Sequence, residues 1–378
     1  AYSYSSSSSI GDITGDFISN TVTANGSVNG GGLIGNYASS SSSSSIGDIT
    51  GDFISNTVTI ENDLYGYVRG GGLIGIYAYK SSSSIDDITG DFISNTVTAR
   101  VVYGGGLIGI YAYESSSSSI GDITGDFISN TVSINKYVIY GGGLIGNYAY
   151  ESSSSSIGDI NSNFSNNTVK LTDTSSQTVM GGVIGNYANN NSAKATIKSI
   201  SGTFENNSVI KESGSATVYA GVIYNSDIIT NGIINSTFKN NYVKLAEGTA
   251  YASVIYTTKD LSINADNGTT LFSGNYSQIG DGEKNYNAVY VDSDSAMLTL
   301  KATNNGVITF DNNNITGVSG YTLNITGDNT STVNLHNQIN NANLNITDVG
   351  KVDFVDNTAR TYNLLSMNSA ENVKYSID

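Results

Sequence analysis

The sequence has no cysteine, no proline and no tryptophan in 378 residues, and only one histidine. Without cysteine there are no disulfides, no thiol catalysis and no thiolate-bound metal. The fold must be held by hydrogen-bonded ladders and buried side chains instead. Charge is scarce too, at 13% of residues against roughly 25% in an average globular chain. Acidic residues outnumber basic ones 32 to 16, for a net charge of −16. That balance opposes nucleic-acid binding, which needs a basic surface to meet phosphate, and opposes docking on anionic lipid. No apolar run approaches the roughly 18 residues of a membrane-spanning helix. The opening Ala1-Tyr2-Ser3 contains no signal peptide, so the numbering is expected to begin at a mature end or a cloning boundary.

What the chain does have is repetition. The phrase Ile-Gly-Asp-Ile-Thr-Gly-Asp-Phe-Ile-Ser-Asn-Thr-Val starts at Ile10, Ile46 and Ile120, with a one-residue variant at Ile85. It decays at Ile157 and Ile197. A second phrase, Gly-Gly-Gly-Leu-Ile-Gly, starts at Gly30, Gly70, Gly104 and Gly141, then relaxes at Gly181, Ala220 and Ala252. All ten phenylalanines open the pattern Phe-x-x-Asn: Phe17/Asn20, Phe53/Asn56, Phe92/Asn95, Phe127/Asn130, Phe164/Asn167, Phe204/Asn207, Phe238/Asn241, Phe272/Asn275, Phe310/Asn313 and Phe354/Asn357. Their spacings are 36, 39, 35, 37, 40, 34, 34, 38 and 44 residues. Constant chemistry at a period near 37, with small length changes, marks one structural unit with tolerant loops.

Within a unit the runs are short, β-branched and aromatic, and Gly, Ser and Asn punctuate them. No helical apolar stripe is sustained. These features predict an all-β chain wound as a parallel β-solenoid of about ten coils, with roughly three short strands in each. The expected strands lie around residues 33–37, 10–13 and 17–23. Residues 1–256 are expected to hold the regular coils and 257–378 a divergent continuation. Each Phe is expected to stack in the core on the Phe of the next coil. Each Asn is expected at a corner in left-handed geometry, bonded to its counterparts above and below. The Gly triplets are expected at corners where backbones approach closely.

The pairing of Gly-Gly-x-Leu/Val-Ile with Phe-x-x-Asn resembles the repeats of the polymorphic outer-membrane proteins, which are bacterial autotransporters. The resemblance covers Gly30 to Ile255 for the glycine phrase and Phe17 to Asn357 for the phenylalanine phrase. It implies a right-handed parallel β-helix displayed at the bacterial surface by type V secretion, as the passenger portion alone. The third Gly and the Ser runs depart from the family pattern.

Candidate chemistry is thin. The glycine phrases lack the Lys-Ser/Thr of a phosphate loop. His336 stands in a polar Leu-His-Asn context where no catalytic triad is evident. Asp12, Asp48, Asp87, Asp122 and Asp159 are equivalent by repeat, as are Asp16, Asp52, Asp91 and Asp126. Repetition argues against one catalytic constellation and for turn residues, although a stacked carboxylate ladder also offers a weak Ca²⁺ site. The Ser runs at 5–9, 39–45, 81–84, 115–119 and 152–156 read as weakly stranded connectors, with a stacked hydroxyl face as the sharper alternative. Tyr65, Tyr67, Tyr103, Tyr137 and Tyr140 sit in the most variable stretch and read as loop residues for partner contact. The expectation is a non-enzymatic, extracellular adhesin or self-associating structural protein. Its partners would be surface glycans, surface proteins or its own copies. The alternative is a carbohydrate-active β-helix enzyme.

Overall fold

A computed structural model describes residues 6–61, 66–336, 338–354, 361–367 and 373–374. Among these residues there is no helix, and 47 short strands form three parallel sheets of 25, 13 and 9 strands. One coil shows how the sequence builds them. Ser43–Ile46, Ile49–Thr50 and Phe53–Ile54 belong to the first sheet. Thr57–Ile60 and Tyr67–Gly71 belong to the second, and Ile74–Tyr79 to the third. The chain then returns to the first sheet, where Ser82–Ile85 pairs in register with Ser43–Ile46 and Phe92 with Phe53. The nine strands of the third sheet mark eight turns of a β-solenoid, close to the ten coils expected.

The expected three strands per coil prove to be three faces, each broken into shorter pieces. The run from Phe17 to Thr23 divides at a corner, with Phe17–Ile18 in the first sheet and Thr21–Ala24 in the second. The Ser tracts, read as weakly stranded connectors, divide in two: their first residues turn the chain from the third sheet, with Ser40, Ser41, Ser115 and Ser152 at positive φ, and their last three are regular strand. Ser7, Ser43, Ser82 and Ser117 pair in register, and the inward-facing Ser44, Ser83, Ser118 and Ser155 are buried. Alternation along a pleated strand puts every second Ser inside, where Ser44 and Ser83 hydroxyls lie 3.1 Å apart.

Each corner has its own chemistry. Between the first and second sheets the left-handed residue is Ser19, Ser55, Ser94 or Ser129, with φ of 55–56°, and Asn166 and Asn206 take the same place later. The left-handed position is thus one residue before the ladder Asn, not the ladder Asn itself. Asn167 and Asn207, expected in that geometry, follow it instead, because the backbone reverses at the residue before them and leaves their amides pointing along the rod. Between the second and third sheets the Gly triplet folds the chain sharply back. A Cβ on Gly71 would sit 1.8 Å from the Ile74 carbonyl oxygen, so only glycine fits there. Gly70, at φ 99°, adds a conformation that other residues avoid.

The winding continues through residue 256, since Ile233 pairs with Ile263 and Phe238 with Phe272. The second sheet ends with Tyr276–Ile279 and the third with Asn314–Gly317. Beyond them, among the described residues, only the first sheet has further strands, with a single parallel bridge from Ile315 to Ile339 beside it. Phe310 pairs with Leu335, and Val333 with Val352, so the 44-residue gap before Phe354 holds two shorter passages rather than one long unit. Leucine takes the place of phenylalanine in the first of these.

Candidate binding faces

From Phe53/Asn56 to Phe310/Asn313 the Phe and Asn of the repeat lie inside the rod, whereas in the first coil Phe17 is half-buried and Asn20 exposed, and Asn357 lies outside the described residues. Phe17, Phe53, Phe92, Phe127, Phe164, Phe204, Phe238, Phe272 and Phe310 form one stack, with ring centroids 4.3–4.8 Å apart and planes within 18° of parallel. Beside it runs the amide ladder. The Asn95 side-chain amide donates to Asn130 Oδ1 at 3.0 Å, and Asn130 donates to Asn167 Oδ1 at 2.9 Å. Asn167 donates in turn to Asn207 Oδ1, and Asn207 to Asn241 Oδ1, each at 2.9 Å. The Asn130 oxygen also accepts the backbone N–H of Asn95. The other Asn130 amide proton goes to the Phe92 carbonyl oxygen at 2.6 Å, and that of Asn207 to the Phe164 carbonyl oxygen at 2.8 Å. This set of bonds recurs from Asn56 to Asn241. A buried amide with all its groups paired stabilises one register, and these residues are unavailable to a ligand.

The carboxylate ladders are turn caps. Asp12 Oδ1 accepts the backbone N–H of Asp48, Asp48 that of Asp87, Asp87 that of Asp122, and Asp122 that of Asp159, at 2.7–3.1 Å. Asp16, Asp52 and Asp91 cap Asp52, Asp91 and Asp126 in the same way. Among the described residues no three carboxylate or histidine side chains converge as metal ligands. His336 ends the strand Thr332–His336, and its backbone carbonyl oxygen accepts from the Asn312 N–H.

The tyrosines are where structure and sequence reading part. Tyr65 lies outside the described residues. Tyr137 is a loop residue, 52% exposed, with the Arg100 guanidinium 4.9 Å above its ring. Tyr67, Tyr103 and Tyr140, however, are on strands of the second sheet. Tyr103 and Tyr140 stack at 5.3 Å and face tyrosines of the third sheet, with Tyr103 5.3 Å from Tyr111 and Tyr140 5.9 Å from Tyr148. The outer surfaces of two sheets meet here because the Gly corner is re-entrant. Gly75 shows why: a Cβ there would lie 2.0 Å from the Gly71 nitrogen.

An external aromatic seam follows from this corner. Tyr37, Tyr77, Tyr111, Tyr148, Tyr187, Tyr224, Tyr256 and Tyr290 run up it with centroids 5.0–5.9 Å apart. At Tyr224 the column moves two positions along the strand, into the register held by Gly185 in the coil before. Tyr79, Tyr113 and Tyr150 make a flanking column. Sequence reading missed the third-sheet tyrosines, although Gly-x-Tyr-Ala recurs from Gly35, Gly75, Gly109, Gly146 and Gly185.

Burial raises the pKa of Tyr77, Tyr103, Tyr111, Tyr148 and Tyr187 above the ordinary phenol value. Tyr256 is raised by burial and then by Asp292, to whose carboxylate it donates. Tyr113 is pushed up to about 12, chiefly by its hydrogen bond with Glu114. Around Arg69, Tyr77, Tyr103, Tyr111, Tyr113, Tyr140, Tyr148, Tyr150, Tyr187 and Asn189 the seam opens into a cleft of about 550 Å³.

Other surfaces are concave as well, two of them rich in polar side chains. The outward Ser7, Ser9, Ser43, Ser45, Ser82, Ser84, Ser117 and Ser119 line a shallow hydroxyl trough. A hollow in the less regular coils holds Asp227, Lys259, Asp260, Ser293 and Ser295. Its carboxylates are engaged as caps, Asp227 accepting from the Ala195 N–H at 2.7 Å and Asp260 from the Met297 N–H at 2.8 Å. Burial raises the Asp227 pKa. Comparison with known proteins gives no match to a family model, a curated protein or a solved structure.

Proposed function

We propose that this chain is a non-catalytic display rod, the passenger of a bacterial surface or secreted protein, acting as an adhesin or self-associating structural element. The observation that carries the reading is the Tyr seam. It repeats the same aromatic groups along one re-entrant corner of coil after coil, 5.0–5.4 Å apart, with Tyr111 and Tyr148 as a covered floor and the half-buried Tyr113 and Tyr150 beside it. A repeated face suits weak contacts that add by multivalency, whereas catalysis needs one pre-organised constellation. The carboxylates that would serve a polysaccharide hydrolase instead hold backbone N–H groups of neighbouring coils. The partners are surface glycans, surface proteins or further copies of the rod. Extracellular placement by type V secretion rests on the repeat resemblance and on the absence of cysteine.

A polysaccharide panel and whole cells, incubated with the purified chain, test this directly. The expected result is retention on a surface, or concentration-dependent self-association, with every polysaccharide left intact. Cleavage of any glycan would overturn the reading, and so would the absence of both retention and self-association.

A further inference from the structure

The Tyr cleft has a shape and chemistry that narrow what it can hold. Its floor is Tyr111 and Tyr148, which expose only 8% and 2% of their surface. One wall is Tyr103 and Tyr140 of the second sheet, the other Tyr113 and Tyr150 of the third. Floor rings stack nearly parallel, 8° apart, so their faces are covered by one another. On the third-sheet wall Tyr113 and Tyr150 are half-buried and tilted by 55° to one another, so they cover each other less than the floor rings do. The cleft therefore offers partly open aromatic faces on one side and phenol hydroxyls along its length. These groups suit a ligand with apolar C–H patches and many hydroxyls of its own.

Period and charge narrow the ligand further. Floor tyrosines from Tyr77 to Tyr187 recur every 5.0–5.4 Å along the rod. That is close to the advance per sugar ring in an extended β-1,4-linked chain. Among the described residues Arg69 is the one charged residue lining the cleft, on a chain whose net charge is −16. The surrounding field disfavours a polyanion, and a single cation at one end does not offset it. Asn189 supplies an amide at the opposite end.

We propose that this cleft binds an uncharged, extended polysaccharide lying along the rod axis, one sugar ring per coil. The proposal rests on the display reading above and assigns the ligand class of its aromatic face. Tyr113 and Tyr150 contact the sugar faces, and the phenol hydroxyls of the cleft hydrogen-bond ring substituents.

The test is calorimetric titration of the full chain with cello- and chito-oligosaccharides from disaccharide to hexasaccharide, with an oligouronate as the anionic control. Affinity should rise with length to about the tetrasaccharide, which spans the four coils from Tyr77 to Tyr187, and then level off. The oligouronate should bind at least about tenfold more weakly. Tyr113→Ala with Tyr150→Ala should weaken binding by about tenfold or more, with circular dichroism unchanged. Should that pair unfold, Tyr113→Phe with Tyr150→Phe keeps the rings and removes the hydroxyls, and should still weaken binding severalfold. Ser82→Ala with Ser117→Ala, on the first sheet, should leave affinity unchanged. No binding, affinity independent of length, equal binding of the oligouronate, or indifference to both Tyr pairs would each overturn the proposal. If the oligosaccharides fail while the rod still adheres to cells, this assignment falls and the display reading stands. If adhesion and self-association fail as well, both fall.

Discussion

Replacing Asn130 with alanine tests what holds the coils in register. Its side chain is fully buried and makes four hydrogen bonds. Alanine keeps the backbone N–H bond to Asn167 Oδ1 but removes those four. Two buried donors are stranded, the backbone N–H of Asn95 and one proton of its side-chain amide. At about 1–3 kcal/mol for each stranded group, the loss should be about 2–6 kcal/mol. Because a solenoid unfolds as neighbouring coils, part of that loss should appear as local opening. Urea unfolding followed by circular dichroism gives the global effect, and hydrogen exchange over residues 92–95 and 127–130 gives the local one. A loss below about 1 kcal/mol, with unchanged exchange at those segments, would refute the view that the amide ladder fixes the register. Asn130→Asp sharpens the test. It keeps the acceptors but turns a donor towards Phe92 and Asn167 into a buried negative charge, whose pKa in the folded state must rise. Its destabilisation should be largest at neutral pH and should shrink as the pH falls through that raised value.

Other perturbations separate the remaining features. Gly71→Ala drives a Cβ to within 1.8 Å of a carbonyl oxygen and should cost on the order of 3 kcal/mol or more, while Gly11→Ala meets nothing within 4 Å and should be nearly silent; thermal melts compare the two. Ser129 holds φ at 56°, so Ser129→Asn should be neutral or slightly stabilising and Ser129→Val should cost roughly 1–2 kcal/mol, as read by denaturant midpoint. The seam tyrosines have raised pKa values, so the folded state holds their protons more tightly than the unfolded state does. Their contribution to stability should be complete below the ordinary phenol pKa of about 10 and should be lost above it. Ultraviolet titration of phenolate alongside melts in alkaline buffers should show late ionisation coinciding with unfolding. Early ionisation with the fold intact would contradict the burial of Tyr111 and Tyr148.

The phenylalanine and asparagine ladders were legible in the sequence, whereas the recurring Gly-x-Tyr-Ala gave no sign of what its tyrosine would meet. Phe-x-x-Asn announced its period because both residues recur at fixed separation, and the phenylalanine stack and amide ladder lie within that phrase. The seam was hidden because Tyr103 and Tyr111 belong to different sheets and touch only after the Gly corner folds back. Read linearly, the tyrosines before that corner look like loop residues. The Ser tracts misled for a different reason. Serine is a weak strand former, so its strands rest on in-register pairing and on buried hydroxyls such as those of Ser44 and Ser83, 3.1 Å apart. The ending misled because Leu335 replaces a phenylalanine and merges two short passages into one apparent spacing. The hollow at Asp227 and Asp260 had no repeat to announce it.

The two side-chain ladders also give the rod a direction. In the asparagine ladder the donor belongs to the earlier coil and the acceptor to the later one, as from Asn20 to Asn56. In the aspartate ladder the later coil donates, as from Asp48 to Asp12. The two rows run in opposite senses, and a coil turned end for end would set acceptor against acceptor in one and donor against donor in the other. A matching coil can therefore join the stack in one polarity only, as successive bricks share a single top and bottom.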